Sequence, residues 1–196
     1  MSTPYTGTFT LDLLGWQPWI ERATDTDLAP EIRQRTEDYV AAQRNSDYNN
    51  VLANDLETAL TRQIVHHHKF TVEDDAHSAN RELAATTASR INGCVFCASV
   101  HARMFANYSG DRALIERFLA DSVEADLPAK ERAIVDVAAK LTTNPEGLTG
   151  ADLQPLRDLG FANDEIFDVI NYAAFFANAN RLMLSLGEPT EPRRQA

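Results

Sequence analysis

The spacing of hydrophobic and polar residues predicts helices along most of the chain. Apolar residues recur three or four positions apart from about Tyr48 to Ile64. Asn92-Gly93 is a strong stop signal between two further helices. Three later helices are expected: one that ends near Leu119, one from Leu127-Pro128 to Asn144-Pro145, and a short one that ends at Gly160. A long last helix is expected from Asp164 to about Leu186, with Asn163 as its cap and Gly187 as its stop. No segment has a convincing strand pattern, so the sequence predicts an all-α fold.

The distribution of this helical pattern suggests one domain with an extension at each end. Residues 1–44 are expected to form an N-terminal arm that packs on its own domain or on a neighbouring subunit, and its most apolar stretch runs from Leu13 to Ile20. Residues 45–187 are expected to form the helical domain, and residues 188–196 a C-terminal tail. A chain of 196 residues is long enough for one such core.

Composition supports the helical prediction and excludes one class of partner. The sequence holds 28 alanines but only 8 glycines and 8 prolines, a balance that favours helices over a turn-rich β fold. Its formal net charge is −11. General nucleic-acid binding is therefore not expected, because phosphate recognition needs concentrated Lys and Arg side chains.

The sequence also bears on where the protein works. No apolar stretch is long enough for a membrane span, and the N-terminus lacks the basic and apolar segments of a signal peptide. We therefore expect a cytoplasmic protein with no membrane partner. In that reducing compartment, the only two cysteines, Cys94 and Cys97, are more plausible as a catalytic, redox-sensing or metal-binding pair than as a structural disulfide.

These cysteines belong to a group of reactive residue types. Cys94, Cys97 and His101 are spaced three and four positions apart, so they should line one face of a helix. If Asn92-Gly93 folds this helix back against the preceding one, Glu82 comes level with His101 to within about one turn.

That group could activate a thiol. A helix N-terminus favours the thiolate, an imidazole can take the thiol proton, and a carboxylate can orient the imidazole. The helix dipole favours Cys94 as the attacking residue, whereas proximity to His101 favours Cys97. The spacing alone leaves both assignments open.

The same residues also admit other interpretations. A lone Glu on a helix is usually solvated, and we expect Glu82 to be exposed or half-exposed. A structural zinc site would need a fourth ligand besides the two cysteines and His101, from the run His66-His67-His68 or from His77. A c-type haem site is excluded because Ala98, and not a histidine, follows Cys97. No metal or organic cofactor is expected.

The chain holds one extended pattern, which consists of Glu82, eleven intervening residues and then Cys94-x-x-Cys97-x-x-x-His101. This pattern resembles the alkylhydroperoxidase AhpD-like family of the carboxymuconolactone decarboxylase superfamily. A second set of segments resembles the peroxidase-related branch of that family, and the resemblance covers roughly residues 45–187. It includes Leu127-Pro128, Leu141-Thr142-Thr143-Asn144-Pro145, Gly160-Phe161 and Asn180-Arg181. The best-studied type of the family has a histidine between its cysteines, where this chain has Val95 and Phe96.

The resemblance implies an all-helical, homo-oligomeric antioxidant protein, a trimer or hexamer, that reduces hydroperoxides. By that analogy Cys97 attacks the peroxide after losing its proton through His101 and Glu82, and its sulfenic acid condenses with Cys94. An external dithiol or protein reductant would then reduce the disulfide. Two alternatives stay open: a protein disulfide oxidoreductase, and a non-enzymatic helical oligomer that binds zinc or senses oxidation.

Overall fold

The computed structural model describes residues 3–21, 47–55, 57–62 and 75–192. The spacing of Thr71 and Asp74 predicts a helix cap, and Pro30 predicts the first turn of a helix. These residues and the histidines at positions 66–68 lie outside the described ranges. The helices are α1 (Asp47–Leu52), α2 (Asp75–Ile91), α3 (Val95–Ser109), α4 (Arg112–Asp121), α5 (Ala129–Thr143), α6 (Gln154–Asp158) and α7 (Asn163–Leu186). Short 3₁₀ turns lie at Ser122–Glu124 and Pro145–Gly147, and the strands are β1 (Gly15–Pro18) and β2 (Gly187–Thr190).

Helix α2 lies at the centre of the bundle and packs against α3, α5 and α7. Its middle section is buried on every side, and small residues there let the neighbouring helices approach closely. The hydroxyls of Thr86 and Thr87 donate to the carbonyls of Glu82 and Leu83, one turn back, at 2.7 and 2.8 Å. These two polar side chains are thus accommodated inside the core because each one bonds to its own helix.

The turns between helices follow the local signals in the sequence. Gly93 has a φ of +80°, a conformation that glycine adopts without strain, and it separates α2 from α3. The carboxylate of Asp111 accepts the backbone N–H of Leu114 and so caps α4. Helix α7 is capped differently from the prediction, because Asn163 is its first residue and the Glu165 carboxylate accepts the N–H of Ala162.

The continuous helix predicted from Tyr48 to Ile64 is interrupted in the structure. Helix α1 ends at Leu52, and residues 57–62 form a separate helical segment. The Asp55 carboxylate accepts both the backbone N–H and the hydroxyl of Thr58, which starts the second segment. The prediction was wrong here because apolar spacing alone does not register a capping residue inside the pattern.

The all-α prediction is confirmed for the body of the molecule, but the two chain ends form a small sheet that it missed. Strands β1 and β2 pair antiparallel, with Gly15 opposite Thr190 and Pro18 opposite Gly187. A Cβ atom at Gly187 would collide with the ring of Trp16, so the predicted helix stop also permits close strand pairing. The pairing joins the predicted arm to the end of α7, while the predicted boundaries at residues 44 and 187 stay predictions.

No helix among the described residues is both long enough and apolar enough to cross a membrane.

Candidate active site

The two cysteines lie at the start of α3, directly after the turn that connects it to α2. Cys94 is the N-cap of α3, and its own backbone N–H donates to the carbonyl of Ser89 at 3.0 Å. The Cys97 N–H points at the Cys94 sulfur at 3.4 Å, and the two residues are joined by a disulfide with a Cα–Cα distance of 5.4 Å. The positive end of the α3 dipole therefore faces the sulfur of Cys94.

Glu82 and His101 are in direct contact across the α2–α3 hairpin. The Nδ1 of His101 and the Oε2 of Glu82 share a hydrogen bond of 2.6 Å. Only 2% of Glu82 is exposed, so the expectation of an exposed or half-exposed glutamate was wrong. The pairing supplies the reason, because a buried carboxylate needs a hydrogen-bonding partner and His101 provides one.

The imidazole is fixed from a second direction by an aromatic ring. Phe176 of α7 lies against His101, with the ring centroids 3.8 Å apart and the planes inclined at 61°. Cys97 precedes His101 by one helical turn on α3, so the disulfide and the imidazole share one helix face. The structure thus brings Glu82 and His101 together beside the cysteine pair, as the spacing predicted.

A buried chain of polar side chains ties α7 to the turn before Cys94. The side-chain amide of Asn180 donates to the Ser89 hydroxyl at 3.0 Å, and its carbonyl accepts the side-chain N–H of Asn92 at 3.1 Å. Asn180 is fully buried. Our prediction of site residues did not include it, although an asparagine within the apolar stretch of α7 was a usable signal.

Apolar side chains from distant segments cover the other side of the disulfide. Both cysteines belong to one packed cluster, whose other members include Trp16 of β1, Tyr48 and Val51 of α1, and Met183 of α7. Trp16 meets Tyr48 edge to face, with centroids 5.9 Å apart, and the guanidinium of Arg62 lies 5.2 Å from the Tyr48 ring centroid. The cysteines are consequently buried within the described part of the chain.

A charged cluster next to Glu82 belongs to the surrounding scaffold. The Arg81 guanidinium bonds to the Asp168 carboxylate at 2.9 Å and lies 5.7 Å from the ring centroid of Tyr172. Burial raises the pKa of Tyr172 above its usual range, with smaller contributions from nearby charges that include Glu82. Tyr172 is therefore a neutral phenol in the physiological pH range.

The described part of the molecule holds no cluster of metal-ligating side chains that would support the zinc interpretation. Among residues 3–21, 47–55, 57–62 and 75–192, no three His, Cys, Asp or Glu side chains are grouped closely enough to hold a metal ion. His77, one of the suggested fourth ligands, pairs with Glu165 at 2.9 Å.

Comparisons with known proteins agree with this geometry. Residues 59–120 match the model of the carboxymuconolactone decarboxylase family, a span that contains Glu82, both cysteines and His101. The predicted resemblance to that superfamily is therefore confirmed. No curated protein sequence matches the chain significantly.

Two solved structures have the same fold. One is described as the alkylhydroperoxidase AhpD core of an uncharacterized peroxidase-related protein from Ralstonia eutropha JMP134. It is 22% identical, with a TM-score of 0.72 over 90% of this chain and 93% of its own. The other is an uncharacterized peroxidase-related protein from Silicibacter sp. TM1040, 26% identical, with a TM-score of 0.69 over 87% of this chain and 92% of its own.

Proposed function

We propose that this chain is a thiol-dependent peroxidase that reduces hydroperoxides through the Cys94–Cys97 pair. The observation that carries the proposal is the buried 2.6 Å hydrogen bond between Glu82 and His101, one helical turn from Cys97 on the face that holds the disulfide. A carboxylate, an imidazole and two thiols are the groups that activated-thiol chemistry requires. The similarity to peroxidase-related proteins supports the same reaction class.

The proton pathway follows from the hydrogen bond. Because a carboxylate accepts hydrogen bonds, Glu82 orients the His101 ring with the proton on Nδ1 and leaves Nε2 to take a proton from the thiol. The resulting imidazolium is stabilised by the carboxylate, which is effective because both groups are buried. Glu82 thus acts as a positioning residue for the base.

The chemical steps balance with one external dithiol. The Cys97 thiolate attacks the terminal peroxide oxygen, the O–O bond breaks, and the alkoxide takes a proton and leaves as an alcohol. Cys94 then attacks the Cys97 sulfenic acid, which forms the disulfide and releases water. A dithiol reduces that disulfide and is itself oxidised. The Cys97 N–H directed at Cys94 favours a Cys94 thiolate, which makes Cys94 the better leaving group in this last step.

The family resemblance supports Cys97 as the attacking residue, since it lies closer along α3 to His101. We propose an external dithiol or a protein as the reductant, a homo-oligomeric assembly and a cytoplasmic location. A disulfide oxidoreductase that exchanges electrons with a partner protein is the second candidate, and the bond between Cys94 and Cys97 favours it. The burial of both sulfur atoms favours a small substrate over a bulky protein.

Turnover of cumene hydroperoxide in the presence of dithiothreitol tests the proposal. The wild type should convert peroxide to alcohol catalytically, and Cys97→Ser should fall to the rate of dithiothreitol alone. Cys94→Ser should be slower than the wild type, because its Cys97 sulfenic acid lacks the neighbouring thiol. The chain holds no other cysteine that could give background activity. Wild-type turnover no faster than that of the variants would remove the peroxidase proposal. Reduction of a protein disulfide without peroxide turnover would favour the oxidoreductase.

A further inference from the structure

A third sulfur atom lies beside the cysteine pair. Met183, near the end of α7, places its Sδ 3.4 Å from the Sγ of Cys97. The side chain is only 4% exposed and packs in the apolar cluster with Trp16 and Val51. Nothing in the peroxidase steps uses this thioether.

Its position matters because a peroxide has to reach Cys97 for the proposed reaction to occur. A hydroperoxide that reacts at Cys97 has to bring its terminal oxygen to that sulfur, and at that point the oxygen lies next to the Sδ of Met183. A thioether is oxidised by hydroperoxides in the same two-electron step as a thiol, without prior loss of a proton. The substrate of the cysteine pair is therefore also delivered to a second oxidisable group.

We propose that Met183 is a second oxidation site, at which a hydroperoxide forms methionine sulfoxide when Cys94 and Cys97 are already joined as a disulfide. This inference rests on the proposed function, because it assumes that hydroperoxide reaches Cys97. The Sδ lone pair attacks the terminal oxygen, the O–O bond breaks, and the rest of the peroxide leaves as an alcohol after proton transfer. Sulfur is oxidised by two electrons and the peroxide is reduced by two.

The redox state of the cysteines decides when this reaction occurs. In the reduced protein the thiolate is the stronger nucleophile and consumes the peroxide first. In the disulfide form Cys97 has no thiolate, and Met183 is the nearest oxidisable sulfur. Sulfoxide should therefore accumulate when peroxide arrives faster than the external reductant renews the thiols.

Oxidation of Met183 should also disturb the packing around the cysteine pair. The sulfoxide adds a polar oxygen to a side chain that is only 4% exposed and is packed in a mainly apolar cluster. The modified side chain would have to displace the segments that cover the disulfide. Loss of peroxidase activity under excess peroxide is the expected consequence.

Peptide mass spectrometry on the disulfide form of the full chain tests the inference directly. The protein is treated with cumene hydroperoxide, and the gain of one oxygen atom is followed at Met183 and at Met104, which is more exposed on α3. Oxidation at Met183 should be severalfold faster than at Met104, and dithiothreitol should suppress it at Met183 by a larger factor than at Met104. Equal rates, or faster oxidation at Met104, would overturn the inference, because exposure alone would then determine reactivity.

A variant provides an independent measurement. Met183→Leu keeps a similar apolar volume and removes the sulfur. After excess peroxide without reductant, followed by dithiothreitol, the variant should retain a larger fraction of its own initial rate than the wild type does. Equal fractional losses would count against the inference. Absence of peroxide turnover in untreated wild type would overturn the proposed function instead, and the mass spectrum would still report on Met183.

Discussion

The two sides of the cysteine pair are built from opposite kinds of residue. Towards α2 lie groups that exchange or fix protons and hydrogen bonds, with Glu82 paired to His101 and Asn180 joined to Ser89. Towards the chain ends lies an apolar wall that includes Trp16. The polar side lies mostly within one helical hairpin, whereas the apolar wall is assembled from segments far apart in the sequence.

This contrast divides the work of the proposed reaction. In that proposal the polar side removes a proton from a thiol, and the apolar wall keeps bulk water away from the two sulfur atoms. Excluding water also strengthens the hydrogen bond between Glu82 and His101, because electrostatic interactions are less screened in a dry site. Changes on the polar side should therefore alter chemistry, and changes in the wall should alter access.

Breaking the polar side should have the largest effect. Glu82→Gln keeps the shape of the side chain but removes the charge that stabilises the imidazolium, so peroxide turnover should fall by roughly 10²-fold or more. The rate of alkylation by iodoacetamide should fall as well, because less thiolate is present. Both rates are measured across pH on the reduced protein.

Glu116→Gln is the matched control for this substitution. Glu116 is exposed on α4 and pairs with Arg112 at 2.8 Å, far from any role in the relay. It should leave both rates unchanged. Alkylation rates in Glu82→Gln that match the wild type at every pH would contradict the relay.

The second-largest effect should come from the buried hydrogen bonds that Asn180 makes with Ser89 and Asn92. Asn180→Leu leaves the side-chain N–H of Asn92 without its buried acceptor and removes the donor to Ser89, which should lower the free energy of unfolding by about 1–3 kcal/mol. Urea denaturation measures the change. Asn178→Leu, on the same helix but exposed, is the control and should change stability little. Equal effects of the two substitutions would show that the buried network does not stabilise the turn.

Opening the apolar wall should alter access to the disulfide. Trp16 is 5% exposed and Trp19 is 59% exposed, so the two tryptophans form a matched pair. Trp16→Ala should speed reduction of the disulfide by dithiothreitol roughly tenfold, because local opening of the cover becomes easier. Trp19→Ala should not. Thiol labelling measures the rate of reduction in each variant. A similar rate for both variants would argue that β1 does not shield the sulfur atoms.

The half-buried ion pair between Lys140 and Asp152 should give the smallest effect, and it is a reference for the fully buried pair of Glu82 and His101. Hydrogen bonding to the Lys140 ammonium, with help from Thr149, lowers the pKa of Asp152 to about 2 from its usual 3.8. A lowered pKa means that the pair stabilises the folded state above about pH 4 and that this contribution disappears as the pH falls towards 2. Asp152→Asn should therefore lower the thermal midpoint slightly at pH 7, and the difference should vanish near pH 2.

Thermal unfolding of both proteins across this pH range measures the effect. A difference that grows as the pH falls would have the wrong sign and would refute the assignment.

Local signals in the sequence were sufficient to predict the α2–α3 hairpin, which holds most of the polar side. Asn92-Gly93 marked the turn, and counting helical rise from it placed Glu82 beside His101. The same local reasoning failed for the exposure of Glu82, because the usual solvation of glutamate does not apply once a buried histidine is opposite. Burial of a charged group depends on its partner, which lies on another helix.

The apolar wall could not be predicted in the same way. Strands β1 and β2 have four residues each, too few for an alternating pattern to stand out, and their pairing joins opposite ends of the chain. The contact of Met183 with Cys97 likewise depends on how α7 crosses α3. Such contacts are fixed by tertiary packing, and helical periodicity carries no information about them.

A single turnover of the reduced protein tests the central claim most directly. The dithiol form is mixed with cumene hydroperoxide without any other reductant, and both the alcohol formed and the remaining thiols are measured. The proposed reaction predicts that alcohol and the Cys94–Cys97 disulfide appear in equal amounts. Alcohol formation while both thiols stay reduced, or peroxide that stays unreacted, would contradict the claim that this cysteine pair reduces hydroperoxides.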